Sequence, residues 1–266
     1  MDTFLDKIIA DKQKRIETAK TVRSFDDIRS AMERKEVVAH RFAESIKGPN
    51  PSIIAEFKRA SPSKGLINKN LGPVETALIY KSGGAAAMSV LTEEDHFLGS
   101  LDDLRAIRNA IDLPLLRKDF IIDDYQIYES GAAGASAVLL IVAALAPDIL
   151  MKFHALAKTL GLDCIVEVHD RDEMQIAIDI GATIIGVNNR NLRTFDVSLN
   201  VSRELIKMKP GESIMIAESG ISKADEIKEL YALGYDAFLI GESLMRSDDT
   251  ALTLSKLTEK VGFIHR

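Results

Sequence analysis

An alternation that begins at residue 52 and runs almost to the end constrains this chain most. Eight short apolar runs, "SIIAEFK" (52–58), "AAMSVL" (86–91), "PLLRKDF" (114–120), "AVLLIV" (137–142), "CIVEV" (164–168), "TIIGVN" (183–188), "SIMIAES" (213–219) and "AFLIGE" (237–242), are separated by segments of helical chemistry. A strand buried on both faces reads as a continuous apolar run, because helices cover the sheet they cross. Each interval leaves room for one strand, one helix and two loops. Glycine recurs shortly before strands, at Gly84, Gly134, Gly161, Gly181, Gly211 and Gly234, a weak repeat of the unit helix, glycine, strand. Nothing marks a domain break between units. Eight β-then-α units predict an α/β chain folded as a (β/α)8 TIM barrel rather than a doubly wound sheet.

The intervening segments carry helix signals. In "SKADEIKELYALG", Ser222 is the expected N-cap with Asp225 three residues on; Ala224, Ile227, Leu230 and Tyr231 share a face, and Gly234 is the stop. In "DILMKFHALAKTLG" the stripe is Leu150, Phe153, Ala157 and Leu160, ended by Gly161. Residues 1–50 read as an N-terminal helical extension, with Leu5, Ile8, Ile9 and Ile16 on one stripe, expected to pack on the barrel. "KGPNP" (47–51) separates it from a catalytic barrel over 51–266, the whole forming a single domain.

The length of 266 residues suits one such barrel. With 46% hydrophobic and 28% charged residues the chain has ample core material and a polar surface. A net charge of -6 argues against nucleic acid or an anionic membrane as partner. The one cysteine, Cys164, allows neither a disulfide framework nor a thiolate metal site within the chain. No apolar run approaches the roughly 20 residues of a membrane span, and "MDTFLDKIIADKQKR" lacks a signal-peptide core. A cytoplasmic protein is expected.

Charged residues at the ends of apolar strands point to chemistry. On the first strand Ile54, Glu56 and Lys58 share one face, and Ile53, Ala55 and Phe57 the other. Two charges buried against helices would cost several kcal/mol each, so Glu56 and Lys58 are expected to face the barrel axis. Lys118, Glu167, Asn188 and Glu218 with Ser219 hold similar positions on the third, fifth, sixth and seventh strands. Singly, each could be a satisfied interior ion pair or a solvated loop-edge charge. Together, at one end of successive strands, they predict a pocket at the carboxyl-terminal mouth, where such barrels carry their active sites. His96 and His169 lie nearby without a second histidine at metal-ligand spacing, and read as ordinary polar loop residues. In "AESGIS" and "LIGESLM", the backbone N–H groups of Ser219, Gly220, Gly241 and Glu242 are placed to cradle a phosphate.

Several of these stretches resemble the indole-3-glycerol-phosphate synthase family: "IIAEFKRASPSKG", "LLRKDFIID", "LLIVAAL", "VEVHD", "GVNNRNL", "AESGI" and "FLIGESLM". The resemblance starts at "DKIIADK", covers essentially the whole chain, and implies a (β/α)8 barrel with an extra N-terminal helical segment that helps close the site. It implies a lyase of tryptophan biosynthesis that closes the ring of 1-(2-carboxyphenylamino)-1-deoxyribulose 5-phosphate with loss of carbon dioxide and water. It further implies Lys118 as general acid, Glu167 as an acid/base group, and Lys58 on the substrate carboxylate. Glu56, Asn188 and Glu218 would complete the polar set, with Arg190 beside it. Ser61, Ser219, Gly220 and Gly241 would surround the phosphate, and Phe97, Phe120 and Leu139 the aromatic ring. Where some members have serine after the glycine of the eighth strand, this chain has Glu242, which puts a side-chain phosphate contact there in doubt. No cofactor or metal is expected. The expected partner is a small phosphorylated substrate, and the expected state a monomer, with a weak dimer as alternative. An Amadori isomerase of the same sugar-phosphate chemistry is the nearest rival, and a catalytically silent binding barrel the other. The first would call for a Cys or Asp acid/base pair at strand ends, and Cys164 opens its strand at the wrong end.

Overall fold

The computed structural model describes residues 3–35, 41–62, 65–67, 72–247 and 249–259. Eight parallel strands close into a barrel: β1 (Ser52–Phe57), β2 (Ala87–Leu91), β3 (Leu115–Lys118), β4 (Ala137–Ile141), β5 (Asp163–Val168), β6 (Ile184–Asn188), β7 (Ile214–Glu218) and β8 (Ala237–Ile240). Each strand pairs with its sequence neighbours, and β1 pairs with β8 to close the ring. Helices follow the strands: α4 (Pro73–Ser82), α5 (Leu101–Ala110), α6 (Asp124–Ala133), α7 (Pro147–Thr159), α8 (Arg171–Asp179), α9 (Asn200–Leu205), α10 (Ala224–Leu233), and the pair α11 (Glu242–Met245) and α12 (Thr250–Glu259). The apolar runs overshoot the strands: "PLLRKDF" is extended only over Leu115–Lys118, and Val142 already starts a 3-10 turn.

Alternation along the strands builds two cores. Ile53, Ala55 and Phe57 belong to the layer between strands and helices, with Val138, Leu140, Val166 and Ile185. Ile54 points the other way, into an interior formed with Leu116, Leu139, Ile165, Ile184, Ile216 and Leu239. Gly134 closes α6 in a left-handed conformation (φ 94°), which lets the chain turn straight into β4. The α10 cap lies one residue later than expected. Lys223, not Ser222, is the N-cap, because the Glu226 carboxylate accepts from both the Ser222 and Lys223 N–H groups, at 2.8 and 2.9 Å. The stripe of α10 is buried as Ile227, Leu230 and Tyr231.

The segment before the barrel forms α1 (Phe4–Val22), α2 (Phe25–Glu33) and α3 (Arg41–Ile46). Capping boxes at Thr3–Asp6 and Ser24–Asp27 start the first two helices. Helix α3 lies at the amino-terminal end of the barrel. Its Phe42 and Ile46 join the interior core, and the Ala43 N–H donates to Asp163 Oδ2 at 2.9 Å. Helix α2 packs on α6, where Met32 approaches Gly131 more closely than any side chain there would allow. Helix α1 crosses the opposite end. Its buried stripe is Ile8, Lys12 and Ile16, so a lysine takes a place that the apolar pattern assigns to no charge.

Candidate active site

The alternation that buries Ile54 inward carries Glu56 inward one step later, and the barrel register does the same elsewhere. Glu167 stands opposite Gly186, Asn188 opposite Glu218, and Glu218 opposite Leu239. Lys118 reaches across the mouth, with Nζ 2.6 Å from both Glu167 Oε2 and Glu218 Oε2. Asn188 donates to Glu167 Oε1 at 3.2 Å. Just beyond β1, Lys58 Nζ lies 2.5 Å from Glu56 Oε1. Two glycines make room for this crowd of carboxylates. A Cβ at Gly186 would overlap Glu218 Oε1, and one at Gly241 would overlap Glu56 Oε1.

Burial and mutual charge set the protonation states. Burial opposes the charge on Lys118, but the carboxylates of Glu167, Glu218 and Glu56 outweigh it and hold the ammonium protonated well beyond its ordinary range. Burial likewise disfavours ionised Glu167, and Lys118 and His169 overcome this, so its carboxyl is held below the usual range. For Glu218 burial wins. Lys118 pulls its pKa down, while Glu167 and Glu56 push it up, and the carboxyl is raised to about 7. Two carboxyl groups sharing one lysine are thus driven apart, the condition under which one stays a base and the other can hold a proton.

His169, read from sequence as an ordinary loop residue, belongs to this set. Its Nε2 is 3.3 Å from Glu167 Oε1 and its Nδ1 2.9 Å from Glu173 Oε2. His96 does not. It lies 3.4 Å from Asp11 and meets the edge of Phe4, and so helps to seat α1.

The polar cluster floors a cavity of about 610 Å³. Every residue singled out from the sequence lines it: Glu56, Lys58, Ser61, Phe97, Lys118, Phe120, Leu139, Glu167, Asn188, Arg190, Glu218, Ser219, Gly220, Gly241 and Glu242. The Phe97 and Phe120 rings stand 6.3 Å apart on one side. On the other, Ser219 and Gly220 both take left-handed backbone (φ 66° and 79°) as β7 ends; for a serine this is a strained conformation, of the kind that collects at functional sites. Arg190 donates to the Phe195 carbonyl at 3.1 Å. The charge of Glu242 is met one turn on by Arg246, at 3.5 Å. Ser61 sits in a short antiparallel ribbon with Gly65; residues 63 and 64 of the "RASPSKG" loop lie outside the described residues.

The N-terminal segment closes part of the site, as the resemblance implies, through residues that the sequence alone did not single out. Phe4, Leu5 and Ile8 of α1 line the cavity, as do Phe195 and Arg246. Phe4 stacks edge-on against Phe195 at 5.3 Å, so α1 touches the loop after β6. Helix α1 is held there by charge: Lys12 Nζ is 2.8 Å from Glu94 and 2.9 Å from Asp119, Arg15 pairs with Asp95, and Lys20 with Asp123 at 2.7 Å. A basic stripe along α1 signals such docking in principle, but nothing in the sequence names its acidic partners.

A closed parallel barrel with a lysine between two buried carboxylates at its carboxyl-terminal mouth, walled by aromatic rings, defines a barrel enzyme of acid–base chemistry. Comparison with known proteins narrows the class. The sequence profile of the family described as "Indole-3-glycerol phosphate synthase" matches residues 5–257. An indole-3-glycerol phosphate synthase of Chloroherpeton thalassium is 46% identical over 254 residues, covering 94% of this chain and 97% of its own length. One from Bordetella pertussis is 44% identical over 260 residues, with 97% and 99% covered. Among solved structures, 3-hexulose-6-phosphate synthase from Salmonella typhimurium superposes with a TM-score of 0.64 at 16% identity, over 79% of this chain and 98% of that one, a likeness of fold alone. The chain belongs to the indole-3-glycerol phosphate synthase family, decarboxylating lyases of tryptophan biosynthesis. Among the described residues, no helix is long and apolar enough to cross a membrane.

Proposed function

We propose that the residues at this mouth close the indole ring of 1-(2-carboxyphenylamino)-1-deoxyribulose 5-phosphate, with Lys118 as the acid. The observation that carries this reading is the Lys118 ammonium, held 2.6 Å from each of two buried carboxylates. When the ring carbon bearing the carboxylate attacks the ketone, charge develops on the ketone oxygen, and Lys118 delivers a proton to it. The closed ring is cationic; Glu56 and Glu167 stabilise it until loss of carbon dioxide restores neutrality. No electron sink is needed for that step. Lys58 binds the substrate carboxylate and shares in proton transfer as the hydroxyl departs, its own charge steadied by Glu56. Glu167, kept ionised, takes the proton lost in dehydration. Asn188 fixes Glu167, and Arg190 lies beside the set.

The apolar side of the cavity suits the aromatic ring, with Phe97, Phe120 and Leu139 as its walls. The phosphate is assigned to Ser61, Ser219, Gly220 and Gly241 and to the N–H of Glu242, with Arg246 offsetting the Glu242 carboxylate. The N-terminal helical segment, residues 1–50, acts as part of the catalytic unit, since α1 supplies one wall. We place the enzyme in the cytoplasm, acting as a monomer on a soluble phosphorylated substrate. Purified protein given this substrate should develop indole fluorescence without added metal or cofactor, and Lys118→Ala should lose at least about a thousandfold in kcat while keeping its circular dichroism. Absence of product at high enzyme concentration overturns the reading. Near-normal turnover in Lys118→Ala overturns the acid assignment.

A further inference from the structure

The carboxylates that flank Lys118 are not equivalent, and the difference lies outside the barrel floor. Glu167 has two hydrogen-bond partners, Lys118 on Oε2 and Asn188 Nδ2 on Oε1, and His169 Nε2 stands 3.3 Å from Oε1 as a charge contact without the geometry of a hydrogen bond. Glu218 has Lys118 on Oε2, and its buried Oε1 has no hydrogen-bond partner among the described residues. His169 is itself fixed from behind. The Glu173 carboxylate, on the first turn of α8, accepts from the His169 backbone N–H at 2.8 Å and lies 2.9 Å from Nδ1. The Glu173 backbone is held in turn by the Asp170 cap, at 3.0 Å. With Nδ1 committed to Glu173 it must carry hydrogen. Nε2 then faces Glu167 either with a lone pair, which repels a carboxylate, or with a second proton, which attracts it. Only the second arrangement is favourable between two carboxylates in a side chain 11% exposed.

We propose that His169 is a positioning residue: held as an imidazolium between Glu173 and Glu167, it keeps Glu167 ionised and leaves Glu218 as the carboxyl group that carries the exchangeable proton beside Lys118. This rests on the synthase reading of the site and adds to it a division of labour between the carboxylates. The groups facing His169 are Glu167 of β5 and Glu173 of α8. Those facing Glu218 are Lys118 of β3, Glu167 of β5 and Glu56 of β1. Burial alone would lower the His169 pKa; its two carboxylate partners reverse this and push it up to about 10.

Two measurements test it. In protein labelled with 15N-histidine, with His169 assigned by its loss in His169→Gln, both ring nitrogens should report protonated from about pH 6 to about pH 8.5; titration near the ordinary histidine value of about 6.5 overturns the proposal. In the pH profile of kcat/KM, His169→Gln keeps a polar side chain beside Glu167 and loses the charge. The carboxyl pair then holds its proton more tightly, so the apparent pKa should rise by about one unit. His169→Lys, which restores a cation, should move it back. A loss of rate with an unmoved profile would mean a merely structural role and overturns the proposal. If His169→Gln does not fold, Glu173→Gln supplies the profile, with a shift in the same direction and an imidazole that titrates lower. Lack of indole formation by the wild type would defeat the synthase reading, whereas a neutral His169 in an active enzyme defeats only this proposal.

Discussion

Lys12 of α1 places its Nζ 2.9 Å from Asp119 Oδ1, and Asp119 directly follows Lys118. The helix that lies outside the eight-unit repeat is thus tied to the residue beside the proposed acid. Asp119 also binds Arg117 at 3.1 Å and Thr92 at 2.7 Å, while Arg117 reaches Glu129 at 2.8 Å.

Removing that tie should loosen one wall of the cavity. Lys12→Met leaves Asp119 its other partners, so the cost in stability should be about 2 kcal/mol, below the full price of breaking a buried pair. Because Phe4, Leu5 and Ile8 hang on the same helix, KM should rise about five- to tenfold with kcat within about twofold, as for lost uniform binding. Steady-state kinetics and hydrogen exchange over residues 4–22 would check both.

Gly186 should tolerate no side chain. A Cβ there overlaps Glu218 Oε1 and comes within 3.0 Å of Ile165 Cγ2. Gly186→Ala is expected to lose about 1–3 kcal/mol by overpacking and roughly a hundredfold in kcat, as Glu218 is forced from Lys118. A thermal melt and initial rates measure the two effects; unchanged kcat would show that Glu218 can move without consequence.

Glu218 should be a stability cost that activity requires. Its folded pKa is raised to about 7, so the wild type loses stability as pH climbs from the unfolded glutamate value of about 4.3 towards that point. Glu218→Gln is exempt. Its Tm relative to wild type should therefore increase from about pH 5 to about pH 8 and then level off, by a few degrees, while turnover falls at least about a hundredfold. A constant difference in Tm across that range would refute the assignment.

Asp119 should behave in the opposite sense. Burial raises its pKa, but Lys12 and Arg117 prevail and hold it below the usual carboxylate range. Its contribution is present above the unfolded value of about 3.9 and is lost as pH falls through the lower folded value. Asp119→Asn should be destabilised by about 3 kcal/mol near neutrality, with the gap closing below about pH 4 in urea titrations.

The same residues mark how far a sequence reading reaches. Period-two alternation is local, so the inward placement of Glu56 and Lys118 was legible from their neighbours, and so was the barrel, because eight repeated units have few other ways to bury their faces. Arg117 and Asp119, the charges on either side of Lys118, have partners that no local pattern in the sequence names. Arg117 turns towards α6, where Gln126, Glu129 and Ser130 receive it, while Asp119 lines the cavity and binds Arg117, Thr92 and Lys12. His169 was passed over for a related reason. Metal-ligand spacing looks for a second histidine, whereas the partners of His169 are carboxylates, Glu167 and Glu173, and whether a loop imidazole turns between them depends on the fold.

What the chain order alone determined was periodicity: the strand and helix units, the face each side chain takes, and the end of the barrel at which polar groups gather. What only the tertiary structure decided was which of those groups meet. Lys118, Glu167 and Glu218 lie on strands far apart in sequence, and barrel closure with its fixed register brings them within 2.6 Å. Protonation follows from that meeting, since burial and neighbouring charge, not residue type, drive the Glu167 and Glu218 carboxyls in opposite directions. Helix α1 is positioned by ion pairs and an aromatic contact whose partners no local pattern names. For that reason a resemblance could imply that this segment helps close the site, but only the folded chain shows that Phe4, Leu5 and Ile8 do so.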